Sequence, residues 1–170
     1  MWLSKSNSEN RGTMPSSETA SERHQEFRVT HVGFSALDLT VFRARGKVTL
    51  PHLQARLKEF LAQAPTSLVL WDFTLANLAE FFEEDVSSLF RDMAFLYERR
   101  GGGKTAMVFS RTVDFGVGRM SEVLSEVHEV PFQIQSFWDI ESAREWLFSE
   151  GDLGYDKNLL SLVNPQAWEK

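Results

Sequence analysis

Apolar and polar residues repeat along the chain with two different periods, and the change of period separates strands from helices. Alternation over 26–33 and again over 37–45 predicts two strands joined as a hairpin. A short continuous apolar run at 68–73 is typical of a buried central strand. Two further apolar runs, at 105–110 and 132–137, predict the last two strands.

Four other segments carry apolar residues at helical spacing. The first begins at Thr49, a favourable N-cap residue, after Gly46 interrupts the preceding strand. The last begins at Asp139, and the third, over 113–127, is expected to turn one face to the core: Val117, Met120, Leu124 and Val127. The order β-β-α-β-α-β-α-β-α predicts an α/β fold, a mixed β-sheet with covering helices.

The two ends of the chain lack this regular pattern. Residues 1–25 are rich in Ser, Thr, Glu and Asn, which predicts a disordered tail, and Met14 offers an alternative start. Residues 151–170 contain several leucines and Trp168, so we expect this extension to pack on the domain at 26–150 or on a partner subunit. No apolar run is long enough to span a bilayer, and the start lacks the apolar region of a signal peptide.

Composition excludes several classes of function. The 170 residues carry 18 Lys and Arg against 24 Asp and Glu, and this net charge of −6 argues against a nucleic-acid partner. The absence of cysteine excludes thiolate sites and favours a cytoplasmic location. None of the four histidines has a second histidine or an acid four residues later, so no metal or other cofactor is expected. The 14 Phe and 5 Trp against 2 Tyr predict rings buried in a core, a pocket or an interface.

Two glycine motifs do not meet the requirements of phosphate loops. The run Gly-Gly-Gly-Lys-Thr at 101–105 has Glu98 where the first glycine is needed, and it precedes a strand. Gly116 and Gly118 lack a third glycine, since Ser121 stands in its place. We interpret the first motif as a helix end and the second as a close approach of the third helix to the sheet.

Three strings, together with the order of elements, resemble a known family: KTAMVF at 104–109, FGVGRM at 115–120 and FQIQSFWD at 132–139. They are similar to the STAS domain, the fold of anti-sigma-factor antagonists, and more closely to the SpoIIAA-like family of small bacterial proteins. That family shares features with the lipid-binding Sec14 fold. The resemblance covers residues 26–148 and implies a non-enzymatic, regulatory, dimeric module that binds a protein partner.

One motif departs from that family. Its antagonists carry an Asp-Ser-Ser/Thr-Gly loop whose serine is phosphorylated by a partner kinase. The nearest counterpart in this chain, Asp85-Val86-Ser87-Ser88, has Leu89 where glycine is needed. Ser87 and Ser88 are candidate phosphorylation sites, but acidic residues just upstream would repel an added phosphate.

Polar residues follow the carboxyl ends of the predicted strands, where parallel sheets bind ligands. This candidate ligand or partner site comprises Asp72, Thr74, Ser110, Arg111 and Asp114, with Thr112 and Asp139 nearby. Structural roles are the alternative: Thr112 and Asp139 would cap helices, and Arg111 and Asp114 would form a solvated ion pair. Aromatic residues that the packing pattern leaves unexplained extend the candidate site, chiefly Phe81, Phe82 and Trp138.

Three hypotheses for the function therefore stay open. The leading one is a non-enzymatic STAS-like module that binds a protein partner or a second copy of itself. The alternative is a carrier that holds a lipid or another small apolar ligand in a cavity beneath helices two and three. An enzyme using Asp72, Arg111 and Asp114 is disfavoured, because the sequence offers no set of nucleophile, base and orienting group.

Overall fold

The computed structural model describes residues 28–149, so the tails predicted at 1–25 and 151–170 lie outside the described residues. Within that range the chain forms the predicted strands and helices in the predicted order. The strands are β1 (Arg28–Phe34), β2 (Leu39–Lys47), β3 (Leu68–Asn77), β4 (Lys104–Val108) and β5 (Gln133–Phe137). The helices are α1 (Leu50–Ala62), α2 (Glu83–Arg100), α3 (Thr112–Val127) and α4 (Ile140–Leu147).

The five strands form one mixed sheet in the order β1-β2-β3-β4-β5. β1 and β2 pair antiparallel as the predicted hairpin, and all later neighbours pair parallel. The predicted α/β fold with a mixed sheet is therefore confirmed. Because β2 to β5 run in the same direction, their carboxyl ends meet at one edge of the sheet, which we call the carboxyl edge.

The sheet separates two apolar cores. β3 sends Val69, Trp71 and Phe73 into the larger core, which α1, α2 and α3 cover. Its alternate residues Leu68 and Leu70 face the smaller core, beneath α4. A strand buried on both faces carries apolar residues on both of them, which accounts for the run at 68–73, where only Asp72 is polar.

Three local predictions are wrong. Gly46 does not interrupt β2: it lies within the strand opposite Ala76, with a φ of +77° that favours glycine. Thr112 does not cap α3, because the helix begins at Thr112 and Arg111 occupies the N-cap position. Val127 is 68% exposed instead of facing the core, because apolar residues lie on both sides of α3 and the spacing alone does not identify the buried side.

The predicted close approach of α3 to the sheet holds for only one of its two glycines. A Cβ at Gly118 would lie 2.4 Å from Phe109 Cε2 and from Ser136 Oγ. A Cβ at Gly116 would meet no atom within 4 Å. Gly118 is therefore required by the packing of α3 on the sheet, and Gly116 is not.

A carboxylate of α3 also reaches the outer strand of the sheet. The backbone N–H of Ser136 in β5 donates to Glu122 Oε1 at 2.7 Å. Glu122 is held from the other side by an ion pair with Arg119, one turn earlier in α3. The helix and the edge strand are thus joined by a polar contact as well as by apolar packing.

Candidate functional site

A β-bulge lies in β3 where it approaches the carboxyl edge. Arg43 pairs with Asp72 and Arg45 pairs with Leu75, so two residues of β3 stand opposite one residue of β2. The extra residue changes which side chains face the core. Ala76 is consequently buried and Leu75 is exposed, the reverse of what simple alternation from Phe73 would give.

Three of the predicted site residues hold this bulge. Asp72 Oδ1 accepts hydrogen bonds from Thr74 N at 3.0 Å and from Thr74 Oγ1 at 2.6 Å. Ser110 Oγ donates to the carbonyl oxygen of Thr74 at 2.7 Å. The second carboxylate oxygen of Asp72 lies 3.2 Å from Arg43 Nε, and both side chains are largely buried. Asp72, Thr74 and Ser110 are therefore brought together, with their polar atoms bonded to one another.

Asp114 holds the loop that follows β3. Its carboxylate is only 1% exposed and accepts a hydrogen bond from Leu78 N at 2.9 Å. Arg111 Nε lies 3.5 Å from Asp114 Oδ2, an ion pair in which only the arginine is exposed. The alternative of a solvated ion pair is thus wrong for Asp114, because the loop between β3 and α2 covers it.

Asp139 has the structural role expected of it. Its side chain accepts hydrogen bonds from Ser142 N at 2.8 Å and from Ser142 Oγ at 2.9 Å, which caps α4. These hydrogen bonds stabilise the charged carboxylate and lower the pKa of Asp139 below its ordinary value.

Exposed apolar side chains accompany this polar network at the carboxyl edge. Leu75 at the end of β3, Phe82 before α2 and Trp138 after β5 are all exposed. We call these three residues the edge patch. Sequence reasoning missed Leu75, because its exposure depends on a β-bulge that can be located only from the register between β2 and β3.

Trp138 is held by a row of aromatic rings. It stacks on Phe115 with ring centroids 4.0 Å apart and an interplanar angle of 3°. Phe115 packs edge-on against Phe109, and Phe109 stacks on Phe73 inside the larger core. Trp138 is nevertheless 52% exposed. Part of the aromatic surplus thus fixes the orientation of a ring that faces solvent.

The remaining aromatic candidate, Phe81, lies beneath the surface. It is buried in the larger core and lines a cavity of about 80 Å³ between the sheet and helices α1, α2 and α3. Other apolar rings, including Trp71 and Phe73, line the same cavity. The cavity lies where the carrier hypothesis places it, but it is far smaller than the roughly 300–1,000 Å³ of typical ligand sites.

Two polar side chains also line this cavity. Arg100 donates to three backbone carbonyls and to Thr105 Oγ1, and its guanidinium lies 4.1 Å from the centroid of Phe132. Burial lowers the pKa of Arg100 to about 10. Burial also raises the pKa of Tyr97 above its ordinary value. Arg100 has a sufficient structural role in joining α2 to the amino ends of β3 and β4.

A serine–histidine contact links α2 to the end of α3. Ser87 Oγ lies 2.9 Å from His128 Nε2. Sequence reasoning missed this contact because 41 residues separate the two positions. Within residues 28–149 no carboxylate forms an ion pair with His128, so the orienting group of a catalytic triad is missing from the described part of the chain.

Neither a metal centre nor a membrane span emerges from the described residues. Among them, no group of three or more His, Asp or Glu side chains could hold a metal ion. No helix among residues 28–149 is long and apolar enough to cross a membrane.

Comparisons with known proteins find similarity of structure. No family model matches the chain, and no curated protein matches it either. An anti-sigma factor antagonist from Mycobacterium paratuberculosis is 14% identical with a TM-score of 0.48, over 71% of this chain and 93% of that one. An uncharacterised protein with a SpoIIAA-like fold from Shewanella loihica is 19% identical with a TM-score of 0.45, over 76% and 99%. Both are similarities of overall structure at low sequence identity.

Proposed function

We propose that this chain is a non-enzymatic, regulatory module of the cytoplasm that binds a protein partner through the carboxyl edge. The observation that carries the proposal is Trp138, a half-exposed ring stacked on Phe115. Tryptophan is one of the residue types enriched among the few side chains that dominate the free energy of protein association. A ring that is already fixed loses little conformational freedom when a partner covers it, which favours binding.

The polar residues of the same edge support binding over catalysis. The Asp72 carboxylate is engaged by Arg43 and Thr74, and Asp114 is engaged by Leu78 N and Arg111. A general base must reach a proton of a substrate, and buried carboxylates bonded to their own chain are poorly placed for that. Their contribution is to hold the loops that present the edge patch.

The geometry of α2 argues against a phosphoserine switch in this module. Ser87 contacts His128, and Ser88 Oγ accepts a hydrogen bond from Arg91. Both serines follow three acidic residues in the first turn of α2, Glu83, Glu84 and Asp85. Arg91 would attract a phosphate on Ser88, but the three acids of the same turn would repel it, so we propose that partner binding is controlled in another way.

The alternative, a carrier for a lipid or another small apolar ligand, receives support from one observation. The cavity beneath α1, α2 and α3 has apolar walls, but its volume is about 80 Å³. Even an engineered cavity that binds benzene has roughly 150 Å³, so a fatty acid would require the core to open. Native mass spectrometry after gentle purification distinguishes the two functions, because only a carrier retains a lipid.

Site-specific photo-crosslinking tests the proposed partner site. A photoreactive phenylalanine analogue replaces Phe82 of the edge patch in one variant, which keeps Trp138 in place, and Phe95 in a control variant, since Phe95 is 76% exposed on the opposite side of α2 from the core. The proposal expects one protein to be crosslinked through position 82 and not through position 95. That protein is then purified and titrated against the native chain and Trp138→Ala. An unchanged affinity of Trp138→Ala, or no crosslink at position 82, would overturn the proposal.

A further inference from the structure

The surface of α3 that points away from the sheet is apolar. Gly116, Met120, Val123 and Val127 are spaced by four, three and four residues, which places them on one stripe of the helix. Two of the residues that α3 buries, Gly118 and Ser125, lie on the opposite side. Val123 is 59% exposed and Val127 is 68% exposed. We call these four residues the α3 stripe.

A helix that is apolar on its inner and outer sides has the pattern of a helix buried on both sides. Among the described residues, Val123 and Val127 belong to neither apolar core, and Met120 at the border of the stripe also packs against the larger core. We infer that the α3 stripe is a self-association surface, on which α3 of a second copy of this chain packs antiparallel. This inference is independent of the edge patch and goes beyond the proposed function.

Gly116 supports close packing of another helix at this stripe. Glycine within a helix is unfavourable, and a Cβ at this position would meet no atom of another described element within 4 Å. The fold of residues 28–149 therefore gives no reason for a glycine here. A helix that approaches closely from outside does give one, because the missing side chain leaves a notch for a larger residue.

The charges beside the stripe select the second copy and its direction. Arg119 and Glu126 lie seven residues apart on the same flank of the stripe, and both are exposed. Arg119 pairs with Glu122 of its own helix, and its exposed guanidinium still faces the flank where a second helix would lie. In an antiparallel pair with Gly116 opposite Val127 and Met120 opposite Val123, the flanking positions bring Arg119 of each copy beside Glu126 of the other. A parallel pair would instead place Arg119 near Leu124 of the other copy. The antiparallel pair is therefore complementary in shape and in charge.

Sedimentation velocity of the full chain tests the surface. The native chain is expected to be dimeric at micromolar concentration. Val123→Glu should weaken dimerisation by at least about 100-fold, because it places a carboxylate in each half of the apolar contact. Phe95→Glu, which adds the same charge on the exposed side of α2, should leave the dimer intact. A native chain that stays monomeric, or a Val123→Glu dimer of native affinity, would overturn the inference.

The chain contains no cysteine, so single cysteines can test the direction of pairing. Gly116→Cys and Val127→Cys are purified separately, mixed, and oxidised. Antiparallel packing predicts a disulfide-linked heterodimer in the mixture and no crosslink in either variant alone. Crosslinking of Gly116→Cys with itself would show parallel packing and overturn the antiparallel arrangement, as would the absence of any crosslink in a mixture that sediments as a dimer.

Discussion

Two glycines of α3, two positions apart, predict opposite effects of the same substitution. Alanine at either position should stabilise the helix by about 1 kcal/mol, because glycine is the less favourable residue in a helix interior. At Gly116 nothing opposes this gain, since the added Cβ meets no atom within 4 Å. We therefore expect Gly116→Ala to raise the free energy of unfolding by about 1 kcal/mol.

At Gly118 the added methyl group meets the core. It would lie 2.4 Å from a ring carbon of Phe109 and 2.4 Å from Ser136 Oγ. Overpacking of this kind costs about 1–3 kcal/mol. Phe109 borders the cavity of about 80 Å³, so its ring has some room to move. After the gain in helix propensity, we expect Gly118→Ala to lower the free energy of unfolding by about 1 kcal/mol.

Urea denaturation followed by circular dichroism measures both effects. The substitutions are made in the Val123→Glu background, so that self-association through the α3 stripe does not contribute to the apparent stability. The expected difference between the two alanine variants is about 2 kcal/mol, which is well above the error of such a comparison. Equal stability of the two variants would refute the inferred close contact between Gly118 and the sheet.

Three further predictions concern single side chains. Asp72→Ala should lower the free energy of unfolding, measured by urea titration, by about 3 kcal/mol or more, because it removes the buried carboxylate that pairs with Arg43. Asp72→Asn should lower it by less. Native stability of the alanine variant would contradict the role of Asp72 in this ion pair. The hydrogen bonds from Ser142 lower the pKa of Asp139 in the folded state, so its contribution to stability is complete above 3.8 and is lost as the pH falls below that value. Thermal unfolding over the acid range should show Asp139→Asn losing less stability than the native chain, and identical profiles would count against the capping role. Burial raises the pKa of Tyr97, so this group destabilises the fold as the pH rises above 10.0, where the tyrosine of the unfolded chain ionises. Tyr97→Phe should therefore lose less stability than the native chain when thermal unfolding is followed over the alkaline range. Identical alkaline profiles of the two proteins would count against this role of Tyr97.

The elements of the fold are predictable from local pattern. The apolar run at 68–73, in which only Asp72 is polar, identifies β3 as a strand buried on both faces, and the cores on either side of it confirm this. Asp139 identifies the start of α4, because a capping side chain acts on the backbone only three residues away. Features that depend on neighbours within one helical turn or one strand are thus accessible from sequence.

The candidate site is less accessible, because it depends on register and on contacts between distant residues. The exposure of Leu75 follows from one extra residue in β3, which only the pairing with β2 locates. The burial of Asp114 follows from a hydrogen bond to Leu78, 36 residues earlier. Periodicity also failed for Val127, since α3 carries apolar residues on both its inner and its outer side. Sequence reasoning therefore gathered Asp72, Thr74 and Ser110 at the correct edge of the sheet without indicating what they do there.

The contact between Glu122 and Ser136 has a consequence for the behaviour of the chain at high concentration. A parallel edge strand such as β5 offers its outward N–H and C=O groups to any extended chain that can pair with it. Glu122 already occupies the N–H of Ser136, and an incoming strand would have to displace a carboxylate that Arg119 also holds. Growth of strand-paired aggregates through β5 is therefore hindered by a helix side chain. Glu122→Ala should remove that obstacle and make the protein more prone to fibril formation, even where its folded structure is unchanged.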